Sequence, residues 1–242
     1  MTPKRALAVC VLLGSTVLPL GDGMAQVIRS GPPSCKAVAL TFDMCPVREG
    51  AGYDASLIAM LMERRIPATF FLSGRWIATH ETQVKILLSV PFFEIGTHGQ
   101  VHAHLPALDM DHQRAEISRP VTMLEKRFDR RGLLFRPPYG EYDDTTVEVA
   151  GTLGLRFILW NVVSGDPDPR LSPERMLEDL KTRLRGGSIV VFHANGKGLH
   201  TRAVVEDLSQ ELLKRGLQPV TVTALLDRCN VSSDHAPLPG NH

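Results

Sequence analysis

Seven short apolar runs, separated by stretches with the spacing of amphipathic helices, restrict this chain to a small set of folds. The runs occupy residues 37–42, 68–72, 92–95, 133–135, 157–160, 189–192 and 219–222. Each is too short for a buried helix and rich in β-branched or aromatic residues, so each reads as a strand. Between them, Asp54 stands as an N-cap ahead of Leu57, Ile58, Leu61 and Met62, a pattern that stops before Pro67. Helical spacing recurs over 76–88, over 111–128 with a kink or break at Pro120, and over 144–153 with Gly154 as its stop. Ser172 caps a helix over 173–183 that opens on Pro173, and further helices are predicted over 202–215 and 223–227.

Strands that alternate with helices of this length make a parallel sheet wound by right-handed crossovers. The expected fold is therefore α/β, a distorted (β/α) barrel with about seven parallel strands, and an open doubly wound sheet is the rival. A site drawn from the ends of many strands is easier to assemble around a barrel mouth.

At 242 residues the chain suits one domain. Residues 1–25 read as a secretory signal peptide: Lys4 and Arg5, an apolar run over 6–20, then small residues at Gly23 and Ala25 before the cleavage point. That run falls short of the roughly 20 residues that span a bilayer. Residues 26–35 are an irregular lead-in, 36–229 the domain and 230–242 a flexible tail. Cleavage would remove Lys4, Arg5 and Asp22 from 27 basic and 26 acidic side chains and leave formal neutrality, which recruits neither nucleic acid nor an anionic membrane. A secreted or periplasmic monomer is expected. Three cysteines would remain, Cys35, Cys45 and Cys229. An oxidising compartment permits a Cys35 to Cys229 disulfide if the sheet closes on itself, with Cys45 the odd thiol; three free thiols are the alternative.

The strand ends carry the chemistry. The run over 37–42 stops at Asp43, followed by Met44, Cys45 and Pro46, which cannot extend it. The run near Ile95 leads to His98 and His102, whose spacing on a helical turn would put both imidazoles on one face, within reach of one metal ion. Arg136 opens Arg136-Pro137-Pro138-Tyr139-Gly140, a stiff turn that would hold a guanidinium beside Asp43 and keep it ionised. His193 ends the run over 189–192, and Asp166 in Ser164-Gly165-Asp166-Pro167 could set its tautomer. Trp160 offers an apolar wall for a sugar ring or belongs to the core. His104 is an outward neighbour or a reserve ligand.

These segments, Thr41-Phe42-Asp43, His98 with His102, Arg136 to Gly140, Trp160 with Ser164-Gly165-Asp166, and Val191-Phe192-His193, resemble the five ordered motifs of the polysaccharide deacetylase family, the NodB homology or carbohydrate esterase family 4 domain, over roughly residues 36–226. The resemblance implies a distorted barrel and metal-dependent removal of acetyl groups from N-acetylglucosamine polymers or, in some members, from O-acetylated xylan. By position it implies Asp43 as general base, His98 and His102 as metal ligands, Arg136 as tether of the base, the Tyr139 N–H as oxyanion donor, His193 as general acid, and Trp160 and Tyr139 in contact with substrate.

One departure stands out. The family usually carries a second aspartate after the base as the third metal ligand, and Met44 occupies that position. A thioether is a poor ligand for zinc, the expected ion. Asp43 itself, Asp54, Cys45 or His104 are the candidates to replace it, and a carbohydrate-binding protein without activity is the competing function. A serine hydrolase is excluded by the lack of G-x-S-x-G, and a nucleotide-binding protein by the lack of G-x-G-x-x-G and P-loop motifs.

Overall fold

The structure, a computed structural model, describes residues 24–48 and 50–229. All but the last two residues of the expected signal peptide, and the whole 230–242 tail, lie outside the described residues. Nine strands form one sheet: β1 (Val27–Ile28), β2 (Ala37–Met44), β3 (Ala68–Leu72), β4 (Phe93–Thr97), β5 (Leu134–Phe135), β6 (Arg156–Ile158), β7 (Val162–Val163), β8 (Ile189–His193) and β9 (Gln218–Val220). The order is β1-β6-β5-β4-β3-β2-β8-β7, with β9 beside the start of β2, and every ladder is parallel.

The two ends of this path are joined by one stretch of chain. Residues 159–161 carry it from β6 across to β7: the Leu159 N–H donates to Ile28 O at 2.7 Å and the Asn161 N–H to Ile189 O at 3.2 Å. Ser30 also bridges Ser188 in antiparallel sense. The barrel closes through this irregular seam, which is the distortion expected from the strand count. The count itself was low. The lead-in read as irregular contains β1, and β7 follows the kink at 159–161; strands of two residues show no periodicity from which to read them.

Among the described residues eight α-helices cover the sheet: α1 (Ala55–Glu63), α2 (Gly74–Thr79), α3 (Glu81–Ser89), α4 (Met110–Phe128), α5 (Asp144–Thr152), α6 (Pro173–Arg183), α7 (Thr201–Lys214) and α8 (Val222–Arg228). Asp54 and Ser172 cap α1 and α6 as predicted, accepting from the N–H groups of Leu57 and Arg175. The single helix expected over 76–88 is two. His80 breaks it at φ −127°, ψ 41°, and its ring bonds to the carbonyl oxygens of Trp76 and Ala51. Pro120 does not break α4, which runs 19 residues with the proline buried in its length.

Alternation along the strands separates two cores. Val38, Leu40, Phe42 and Met44 of β2 join Phe70, Leu72, Val190 and Phe192 in the layer beneath the helices. Ala37 and Ala39 of the same strand join Phe71, Leu134, Ile158 and Ile189 inside the barrel. Cys35 and Cys229, which border this inner cluster, are joined as a disulfide across 194 residues.

Candidate active site

Strand register decides which residues meet at the barrel mouth. Asp43 of β2 lies beside His193 of β8 and Phe71 of β3. Thr97 of β4 pairs with Leu72 on one side and Phe135 on the other, so the residues that follow, His98 and Arg136, emerge together. The ladder continues into them: the His98 N–H donates to Leu72 O and the Arg136 N–H to Thr97 O, both at 2.9 Å. Asp43 shares the inward phase of Ala37 and Ala39, and His193 that of Ile189.

Arg136 is fully buried. Its Nη1 donates to Asp43 Oδ1 at 2.8 Å and its Nη2 to Leu159 O at 3.2 Å. The guanidinium carbon sits 4.0 Å from the centroid of the Phe71 ring, a cation–π contact in a dry interior. Gly96 makes room for that ring, since a Cβ there would stand 2.8 Å from it. Burial pushes the Asp43 carboxyl up, but the charges of Arg136, His98 and His193 and the Arg136 hydrogen bond outweigh it and hold Asp43 below the usual carboxylate range. Arg136 carries most of this effect, because burial keeps His98 neutral by lowering its own pKa.

His193 is held from the other side. Its Nδ1 meets Asp166 Oδ1 at 2.9 Å and its backbone N–H donates to Asp166 Oδ2 at 2.7 Å. Asp166 is in turn fixed by the hydroxyls of Ser164 at 3.0 Å and Thr201 at 2.8 Å. Burial lowers the pKa of His193, but the hydrogen bond and charge of Asp166, with the charge of Asp43, raise it above 6.5 overall. A carboxylate with lowered pKa and an imidazole with raised pKa therefore stand at adjacent register positions.

The expected helical turn over residues 98–102 is absent. The segment is an irregular loop with Gly99 at φ 69° and His102 at φ 65°. Left-handed geometry at these two points achieves what a helix would have done, because the two imidazoles meet edge to face with centroids 4.9 Å apart. Glu116 of α4 holds the loop: its Oε2 accepts the N–H groups of Gln100 at 2.9 Å and Val101 at 3.1 Å. Burial first, then the charges of His98 and Lys197, push the His102 pKa down to about 3, so its ring is neutral.

Tyr139 also lies in the left-handed region, at φ 60° and ψ −1°, between two prolines and Gly140. Its half-exposed ring stacks on His104 with centroids 4.2 Å apart and meets His102 edge to face at 4.4 Å. Two of the four non-glycine residues with positive φ among the described residues are thus at this site, where such strain commonly accumulates. The Trp160 ring lies against Gly140, where a Cβ would approach it to 2.8 Å, and 5.3 Å from the Arg136 guanidinium. Tyr139 and Trp160 form apolar walls at one side of the mouth.

The donor set fits a cation in part. A carbonyl only accepts, so His98 Nδ1, 2.9 Å from Arg136 O, carries the proton and leaves the Nε2 lone pair facing Asp43 Oδ2 at 3.6 Å. Two acceptors facing one another beside a second neutral imidazole suit a divalent ion. Among the described residues, however, no three His, Cys, Asp or Glu side chains form a cage. Met44 packs under the helices, Asp54 is engaged in capping α1, and His104 pairs with Glu141 at 2.7 Å. Cys45 lies beside Asn195 and Lys197. Asp54 and His104, two of the four candidates, thus have other partners in this structure.

Phe71, Leu159, Glu116 and Thr201 escape the sequence reading. Alternation over 68–72 would have turned Phe71 inward with Thr69. Nothing in the sequence marks Glu116, whose role depends on how a distant helix packs against the loop.

A family model described as Polysaccharide deacetylase matches residues 30–158. A peptidoglycan-N-acetylglucosamine deacetylase of Bacillus cereus is 30% identical over 200 residues, 81% of this chain and 90% of that protein. A bifunctional xylanase/xylan deacetylase of Cellvibrio japonicus is 27% identical over 183 residues, 75% of this chain but only 26% of that longer protein. Among solved structures, a carbohydrate esterase family 4 pseudoenzyme from Bacillus anthracis superposes with a TM-score of 0.76 at 27% identity, covering 84% of this chain and 69% of that one. A mutant of that pseudoenzyme is described as having restored enzymatic activity.

Proposed function

The chain belongs to the polysaccharide deacetylase family, and from that premise we propose that it is a secreted, metal-dependent hydrolase that removes N-acetyl groups from N-acetylglucosamine polymers, chitin oligomers or peptidoglycan. The observation that carries this reading is the pair of neighbouring groups at the mouth, Asp43 with its pKa lowered by Arg136 and His193 with its pKa raised by Asp166. Titratable neighbours driven apart in this way divide into base and acid.

Asp43, ionised and aimed by Arg136, accepts a proton from the attacking water. The Tyr139 N–H, held by its left-handed backbone, donates to the carbonyl oxygen as charge develops there. The C–N bond then breaks, and the departing nitrogen takes a proton from His193, whose Nδ1 is occupied by Asp166. Acetate and a free amine result. His98 and His102 would hold the divalent ion, zinc by the nature of its nitrogen donors, and when bound it polarises the acetyl carbonyl and acidifies water. With Met44 in the helix layer, that ion has weaker protein ligation than three side chains would give. Export is supported by the Cys35 to Cys229 disulfide, which an oxidising compartment allows; a monomer is the assembly proposed.

A second reading, a carbohydrate-binding protein without activity, is favoured by Met44 and by the pseudoenzyme likeness. A third, an O-acetyl esterase on xylan-type substrates, draws on the xylan deacetylase relative. One experiment separates them. Acetate release from chitin oligomers, peptidoglycan and acetylxylan is measured with zinc, with chelator, and for Asp43→Asn. Release that chelator abolishes, zinc restores and Asp43→Asn lowers at least about a thousandfold supports the enzyme. Oligomer binding without acetate release supports the binder.

A further inference from the structure

A cleft of about 560 Å³ adjoins the site through His102 and Tyr139, and Arg48, Arg75, His80 and Lys197 also line it. It is much larger than an acetyl group needs, and no carboxylate of the described residues lines it. Glu49, between Arg48 and Gly50, lies outside the described residues. The Arg48 and Arg75 side chains are exposed and form no ion pair or side-chain hydrogen bond among the described residues, whereas Arg64, Arg127 and Arg170 on the surface are each paired with a carboxylate. Lys197 reaches inward, with Nζ 3.6 Å from Cys45 Sγ, and its charge is felt at both His102 and His193. Asp43, in the site beside the cleft, is already paired with Arg136. Three cations without a carboxylate partner among the described residues, gathered in one concavity of a nearly neutral chain, repel one another and focus a positive field outward from the reaction centre.

Resting on the deacetylase reading above, we propose that this cleft is an anion subsite that takes the carboxylate of the sugar next to the acetylated one, so that the preferred substrate is an acidic glycan rather than neutral chitin. Guanidinium groups match a planar carboxylate through paired N–H donors, and two in one cleft can meet a carboxylate carried at different points of a sugar ring. Such a contact lies away from the reacting bond and sets which polymer is drawn in.

The test uses the full chain and oligomers of one length in four forms: all N-acetylglucosamine, alternating with a sugar bearing a lactyl-ether carboxylate, alternating with a uronic acid, and the lactyl form amidated. For the wild type, kcat/KM on one carboxylated form exceeds that on the neutral and amidated forms by about tenfold at low salt, and the margin shrinks as salt rises. In Arg48→Gln/Arg75→Gln the ratio of carboxylated to neutral falls toward one, while the thermal melt stays that of the wild type. The better of the two carboxylated forms identifies the source of the anion. A wild-type ratio near one, or a ratio unchanged in the double variant, overturns the inference. If no form releases acetate, the deacetylase reading fails by itself, and calorimetric titration of the same oligomers decides the cleft: tenfold tighter binding of a carboxylated form, lost in the double variant, sustains it, and equal binding overturns it.

Discussion

Arg136 Nη1 and Asp43 Oδ1 meet at 2.8 Å across 93 residues of sequence, and both side chains are almost wholly withdrawn from water. The pair is a mutual dependence, because either charge left alone in this interior has no water to stabilise it. Arg136→Gln should therefore lower stability by roughly 3–5 kcal/mol, the cost of an uncompensated buried carboxylate, and should raise the Asp43 pKa. Adding Asp43→Asn to that variant should recover most of the loss. Denaturant unfolding of the wild type, both single variants and the double variant measures this; additive losses would show that the two groups are not coupled.

The pH profile of acetate release follows from the two shifted groups. In the proposed mechanism Asp43 acts ionised, and it lies below the usual carboxylate range, so the acid limb of kcat/KM should fall below that of an ordinary aspartate. In the same mechanism His193 acts protonated, and it lies above 6.5, so activity should persist past that pH and fall as pH climbs through its folded value. Asp166→Asn removes the partner that raises His193, and the alkaline limb should move to lower pH. Stability follows the same signs. The contribution of His193 is complete below its unfolded pKa of about 6.5 and disappears as pH rises through the folded value, whereas that of Asp43 is present above its unfolded pKa of about 3.9 and disappears as pH falls through its folded value. Profiles of kcat/KM for wild type and Asp166→Asn check the shift, and unmoved limbs would refute it.

Asp43, Arg136 and His193 could be read from the sequence because each sits where an apolar run stops, and a parallel sheet brings such stops to one end. Their lateral order could not, since register depends on how Thr97 pairs with both Leu72 and Phe135. The nearness of His98 and His102 was anticipated for the wrong reason. Four-residue spacing suggested a helix, and left-handed Gly99 and His102, on either side of the two N–H groups that Glu116 holds, produce the same encounter. Phe71 was hidden in a run that looked uniformly apolar, and β1 and β7 are too short for any pattern.

Glu116 should act on the site without touching substrate. Its carboxylate is the acceptor for two consecutive N–H groups between His98 and His102, so Glu116→Ala leaves both unsatisfied in a part-buried loop and lets the imidazoles drift. The expected effect is a 10–100-fold weaker hold on zinc and a comparable fall in kcat at subsaturating metal, with KM little changed. Glu116→Gln keeps an acceptor oxygen and should restore most of both. Zinc affinity measured by competition with a chromophoric chelator gives the readout, and equal affinity in Glu116→Ala and wild type would remove Glu116 from this role.

The disulfide should matter to the fold and not to the reaction. Cys35 precedes β2 and Cys229 follows α8, so the bond ties both edges of the domain to the inner core at the end of β2 opposite Asp43. Six residues separate Ala37 from Asp43, which at strand rise is about 20 Å. A loop this long, 194 residues, places the stabilisation at the upper part of the usual 2–5 kcal/mol. Cys35→Ser/Cys229→Ser should then melt about 5–15 °C lower than wild type, as should wild type under a reductant. Below the melting transition the double variant should release acetate at the wild-type rate. A matching melt would mean that the bond constrains little, and a loss of rate at low temperature would mean that strain set at Cys35 travels the length of β2 to the carboxylate at its other end.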